Sequence, residues 1–311
     1  MPTTTTVSSN YSGKEAGAII GASFKEADTI AKGLVTVAQN VNSQLNLRRI
    51  RYTNGTTAYT CGHTPAGAII LNERVLTPLK FKNDFDVCKE DFRSTWSSDL
   101  IGDSAANPNM AEDIQAAILG EVLGAHAEKL DSDIWNGDNT LDTSQFDGFI
   151  KQFTADADVV KLNNTGTAVD ATNVLDEMAK VRAAIPVALR RKNLVFAISP
   201  DVADLYAQSL IENRISNGLN AGIDTQDGVD MVYGRYGVRI INGLPDNTMV
   251  VYESKNLVFG TGLLGDHNEV SIVDEDTIPL FTGLVRGKLV YNAGVNYYNS
   301  EDIVYYLATA S

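Results

Sequence analysis

The sequence is poor in cysteine, histidine, proline and positive charge, and each shortage removes a class of protein. Two cysteines in 311 residues cannot build a disulfide framework, which fits a reducing compartment. The three histidines, His63, His126 and His267, stand far apart, and no two share the i, i+4 spacing of a zinc pair on a helix. No run of about 18 apolar residues occurs, so no membrane-spanning helix is expected. The opening Met1-Pro-Thr-Thr-Thr-Thr-Val lacks the basic-then-apolar order of a signal peptide and predicts a soluble chain made in the cytosol. Basic residues number 25 against 39 acidic, a net charge of −14. A surface that acidic repels phosphate backbones, which argues against nucleic-acid binding by the chain as a whole.

What is present is an ordinary globular balance, 44% hydrophobic and 21% charged, over a length that suits one large domain or two modest ones. The charge is unevenly placed. Residues 48–98 carry eight basic groups against five acidic, whereas residues 99–176 carry three against fifteen. A basic segment beside an acidic one suggests that the two meet, within one subunit or between neighbours. Two solvated faces would give the same counts.

Along the chain, residues 1–47 are poor in aromatics and read as an extended arm with some helix. From Arg48 the pattern alternates, in Arg49-Ile50-Arg51-Tyr52, Thr57–Cys61, Val75–Lys82 and Phe85–Cys88. Broken by Gly62, Pro65 and Gly67, it reads as a long two-stranded ribbon. Such a ribbon is marginal alone and needs a covering surface. The clearest helix spans 108–135, with Asn107 as N-cap, Pro108 at the first position and Asn136-Gly137-Asp138 as its stop. Gly120 and Gly124 inside it suggest a close neighbour or simply tolerated small residues. Beyond Gly148 the chain reads as α+β. Helices are expected over 172–185 and 200–213, a buried strand at 194–198, and short strands at 238–241, 249–252, 257–259, 270–273, 284–290, 295–298 and 303–307.

Catalytic motifs fail on context. Gly260-Thr-Gly262-Leu-Leu-Gly265 has dinucleotide-loop spacing, but Asp266-His267-Asn268-Glu269-Val270 follows it and does not open a helix. Gly283 to Lys288 is one residue short of a phosphate loop and lacks the Ser/Thr that would hold magnesium. Asp274-Glu275-Asp276 could hold a divalent cation, though a charge run usually marks a solvated turn. Cys61 and Cys88 could face one another across the ribbon, with reduced thiols the expectation. No catalytic, metal or cofactor site is expected.

The order of elements, with phrases such as Asp147-Gly148-Phe149-Ile150, Tyr236-Gly237-Val238-Arg239-Ile240, Leu244-Pro245-Asp246-Asn247 and Asn256-Leu257-Val258-Phe259-Gly260, resembles the major capsid proteins of tailed bacteriophages, the Hong Kong 97 fold. The resemblance implies an arm (1–47), an extended loop (48–95), a peripheral domain with a spine helix (96–150), an axial domain (151–283) and return strands to the peripheral domain (284–311). It implies a non-enzymatic shell subunit whose pentamers and hexamers enclose DNA held only loosely. Its implied partners are a separate scaffolding protein, a portal and a decoration protein. The basic ribbon would then lie on a neighbour's acidic spine, which marks Arg74, Lys80, Lys82, Glu121, Glu128 and Asp131 as contact candidates. The alternatives are an encapsulin-like nanocompartment shell and a nucleotide-dependent enzyme.

Overall fold

A computed structural model describes residues 28–41, 43–53, 55–59, 61–62, 66–88, 112–165, 168–217, 231–262, 271–275 and 284–309. The expected arm up to residue 27, the Asn107 cap and His63 and His267 lie outside these residues. The architecture is the expected α+β, built on two sheets and a separate hairpin.

The first sheet gathers β1 (Thr36–Ala38), β4 (Leu79–Cys88), β10 (Leu257–Thr261), β11 (Ser271–Asp274) and β12 (Leu284–Tyr297). Its long member, β12, is one strand where the sequence suggested two. Gly287, Asn292 and Gly294 look like breaks, yet the strand runs through them because β4 pairs with it from Leu284 to Ala293. Gly287 lies opposite Phe85, and a Cβ there would strike the Phe85 ring. The apparent phosphate-loop glycine thus makes room for an aromatic side chain.

The second sheet has the order β5 (Val160–Thr165), β13 (Val304–Thr309), β9 (Thr248–Glu253), β6 (Leu194–Ile198), β8 (Tyr236–Ile240), β7 (Met231–Tyr233). Both of its faces are covered, which explains its near-continuous apolar runs. In β9, Met249 and Val251 pack against α4 (Val174–Ala184) and α5 (Pro200–Asn217), while Val250 and Tyr252 point the other way into the main core. That core is closed by the C-terminal half of α2 (Glu112–Asn136), through Leu130, Ile134 and Trp135, and by Phe149, Ile150 and Phe153 of α3 (Phe149–Ala155). The final strand, β13, joins the second sheet beside β5 and β9. β12, by contrast, shares its sheet with β10 and β4.

At 25 residues, α2 is about 37 Å long. Its end is shaped by backbone crowding. Gly148 N–H donates to Gly137 O at 2.8 Å, and a Cβ on Gly148 would lie 2.7 Å from Trp135 O and 2.8 Å from Asp133 O. Lys151 then closes the following turn, 2.6 Å from both Asp138 and Asp147. Gly124 has nothing of the described residues within 4 Å of its Cβ position, so no close packing among the described residues calls for it.

Asp131, expected at a contact between subunits, faces inward and is buried. Its Oδ1 accepts the Thr29 N–H at 2.8 Å and its Oδ2 the Gly243 N–H at 3.2 Å. Trp135 Nε1 donates to Thr29 Oγ1 at 2.7 Å. The acidic residue therefore pins α1 (Asp28–Ala31) to the helix within one chain. Burial raises the Asp131 carboxyl pKa, against the pull of these hydrogen bonds.

Candidate assembly surface

The hairpin is made of β2 (Leu45–Thr53) and β3 (Ala68–Leu76). The ribbon is therefore shorter than the alternation suggested. Thr77-Pro78 ends it, and β4, with Lys80 and Lys82, belongs to the first sheet. Cys61 is exposed in the connection at the ribbon's far end and Cys88 ends β4, so the two do not face each other across the ribbon.

Register decides which side chains share a face. Ile50 lies opposite Leu71 and Tyr52 opposite Ile69. All four project from one face and are 64–71% exposed. Only Arg48 and Glu73, themselves paired at 3.7 Å, add charge there. The opposite face carries Arg49, Arg51 and Arg74, the first two at alternate positions as strand geometry requires. Arg49 donates from Nη1 to Asn299 Oδ1, Arg51 forks onto Glu301 at 2.7 and 3.0 Å, and Arg74 pairs with Asp156. The Arg74 guanidinium also lies 4.1 Å from the Tyr297 ring centroid, a cation–π contact. Burial opposes charge on Asp156, yet hydrogen bonds from Asp158 N–H, Tyr297 and Arg74 hold its pKa below the usual carboxylate range.

The positive charge of the ribbon is thus spent on its own subunit, and the face left to solvent is apolar. The ribbon's root is apolar as well. Leu47 and Leu76 are buried with Val41 and Val258, and a Cβ on Gly260 would strike Leu76. The first glycine of the apparent dinucleotide loop serves this close approach, since Gly260 sits within β10, paired to Gly294. Residues 263–270, Gly265 among them, lie outside the described structure.

No protein-family model and no curated protein matches the sequence. Solved structures do match in shape. The capsid of the native GTA particle superposes with a TM-score of 0.58 at 12% identity, over 91% of both chains. The capsid of the Myoviridae phage XM1 gives 0.55 at 9% identity, over 91% of this chain and 92% of that one. A virus-like particle from Pyrococcus furiosus gives 0.51 at 11% identity, over 94% and 98%. The fold is that of phage capsid subunits.

Within this capsid fold the remaining sequence candidates separate. Lys80, Lys82 and Glu128 are exposed, whereas Arg74 and Asp131 are engaged inside the subunit. The Glu121 side chain lies outside the described residues. Glu275 is buried and paired with Arg286 at 3.1 Å, which gives the acidic run a structural task. No group of three His, Cys, Asp or Glu side chains positioned for a metal ion occurs among the described residues. His126 is buried against Tyr291, with ring centroids 4.6 Å apart. Burial, with the nearby Lys129 charge, lowers its pKa to about 4. Sequence reasoning missed Asp156, Asn299 and Glu301, the residues that receive the arginines. The signal was the i, i+2 spacing of Arg49 and Arg51, which puts both on the face opposite Ile50 and Tyr52.

Proposed function

We propose that this chain is the structural subunit of an icosahedral phage head, whose pentamers and hexamers enclose packaged double-stranded DNA. The observation that carries this reading is the ribbon's uncovered face of Ile50, Tyr52, Ile69 and Leu71 on a capsid-subunit fold. An exposed apolar face of this kind, projecting from a folded body, marks a surface that another molecule covers. A second copy of the chain is the occupant the fold suggests, through interfaces that close into rings. Lys80, Lys82, Glu121 and Glu128 are the charged residues proposed at such contacts. In this reading α2 is the spine of a peripheral domain and the second sheet forms the axial domain. The acidic surface faces DNA without gripping it. A separate scaffolding protein, a portal and a decoration protein are the other partners, with assembly in the bacterial host cytoplasm and the virion as the final location.

Negative-stain microscopy and light scattering of the purified protein, with and without scaffold, test the reading. Rings or shells are expected. A sharp monomer that does not change with concentration, even with scaffold present, overturns it. The second reading is an encapsulin-like nanocompartment shell, and the likeness to a virus-like particle supports a closed shell of either kind. Nuclease-resistant DNA inside particles recovered from cells separates the two.

A further inference from the structure

The places where the ribbon's arginines land share one property. Asp156 follows α3 and leads into β5 of the second sheet, while Tyr297 is the last residue of β12 in the first. Asn299 and Glu301 lie in the link by which the chain passes from β12 to β13, from one sheet to the other. A second such link, between β9 and β10, contains Asn256. The two links are bound together, since Asn256 Nδ2 donates to Asn299 O at 2.7 Å and Asn299 N–H donates to Asn256 Oδ1 at 2.8 Å. Lys192 ties the same joint from the outside, 2.8 Å from Glu253 and 3.3 Å from Asp302. All three arginines of that face therefore rest on the seam between the two sheets.

We propose that the arginine face of the ribbon is a latch that ties the ribbon's angle to the joint between the two sheets. The apolar root at Leu47 and Leu76 is the pivot, further held by Asn296 Nδ2 donating to Val75 O at 2.8 Å. Arg51 stands four residues beyond Leu47, a lever of about 13 Å at strand spacing. The chemistry of the latch suits reversible attachment. Arg51 and Glu301 are each half-exposed, so water replaces the lost contact when they part. A permanent fixture would be apolar and buried, as the root is. A change at the seam therefore turns the ribbon and re-aims its apolar face, and the inference holds whether or not the chain builds a shell.

The test uses the full chain in its unassembled fraction, so it does not depend on shell formation. Spin labels are placed on Cys61 and on Ser132→Cys, in the exposed face of α2, with Cys88→Ser removing the other thiol. Pulsed dipolar spectroscopy of this parent should give one narrow distance distribution. In R49Q/R51Q/R74Q the width should at least double, and 1 M NaCl on the parent should broaden it in the same direction, since the Debye length falls to about 3 Å. Because the triple variant could lose stability, E301K is measured alongside at an exposed position and should shift the mean distance. Unchanged distributions in E301K and in salt overturn the latch, as does an unchanged distribution in a folded triple variant.

Discussion

Replacing Ile50 and Leu71 by serine tests whether the uncovered ribbon face drives association. The two residues lie directly opposite each other and are 71% and 70% exposed in the isolated subunit. Full burial of such a side chain is worth about 1.5–3 kcal/mol. With roughly two-thirds of each still to be buried, the pair contributes about 3 kcal/mol per contact, or roughly a hundredfold in the contact's equilibrium constant. The isolated fold should barely notice, because exposed substitutions usually change stability by no more than about 0.5 kcal/mol. Light scattering against concentration should show the onset of assembly moving up about a hundredfold. Thermal unfolding of the unassembled chain should stay where it was. An unmoved onset would refute the reasoning, and so would a variant that no longer folds, because the hairpin would then be part of the core.

Asp131→Ala should destabilise the fold by about 2–4 kcal/mol, since it strands the buried Thr29 and Gly243 N–H groups. Denaturant titration measures the loss, and hydrogen exchange should show faster exchange at residues 29–34. Gly148→Ala should cost about 2–3 kcal/mol because backbone atoms surround the new methyl, and an unchanged unfolding midpoint would contradict that crowding. His126 titrates in the folded chain at about 4, below its usual value near 6.5. Its neutral form therefore stabilises the fold above about pH 6.5, and that contribution is lost as pH falls toward 4. The total is about 3 kcal/mol. His126→Gln should flatten the stability difference across that window, and parallel curves for the two proteins would count against it.

Much of the fold was legible because local signals and packing agree. The stop at Asn136-Gly137, the buried strand Leu194–Ile198 and the helix beginning at Pro200 all stand where apolar period and turn residues put them. The ribbon was legible as a ribbon but not in extent. Alternation in Val75–Cys88 reads the same whether the partner strand is adjacent or, as for β4 and β12, some two hundred residues away. The glycines at 260 and 287 suggested phosphate chemistry because spacing is local, whereas the Leu76 and Phe85 side chains they accommodate come from distant parts of the chain. Counting charge by segment found the basic ribbon but not its direction. Charge carries no facing; the strand register supplies it.

The receptors for Arg49 and Arg51 lie 250 residues further along the chain, and this separation has a consequence during synthesis. At about 5–20 residues per second, the ribosome delivers Asn299 and Glu301 roughly 11–45 seconds after Leu76 completes the hairpin. For that interval Arg49 and Arg51 have no seats, and β10, which helps bury the root, arrives only late in it. A nascent chain therefore carries a bare apolar hairpin with two open edges while the rest of the subunit is still being made. Crowded polysomes would bring several such hairpins together before any subunit is complete. Keeping such hairpins apart until β12 and the link after it arrive makes that stretch the timing element of the fold.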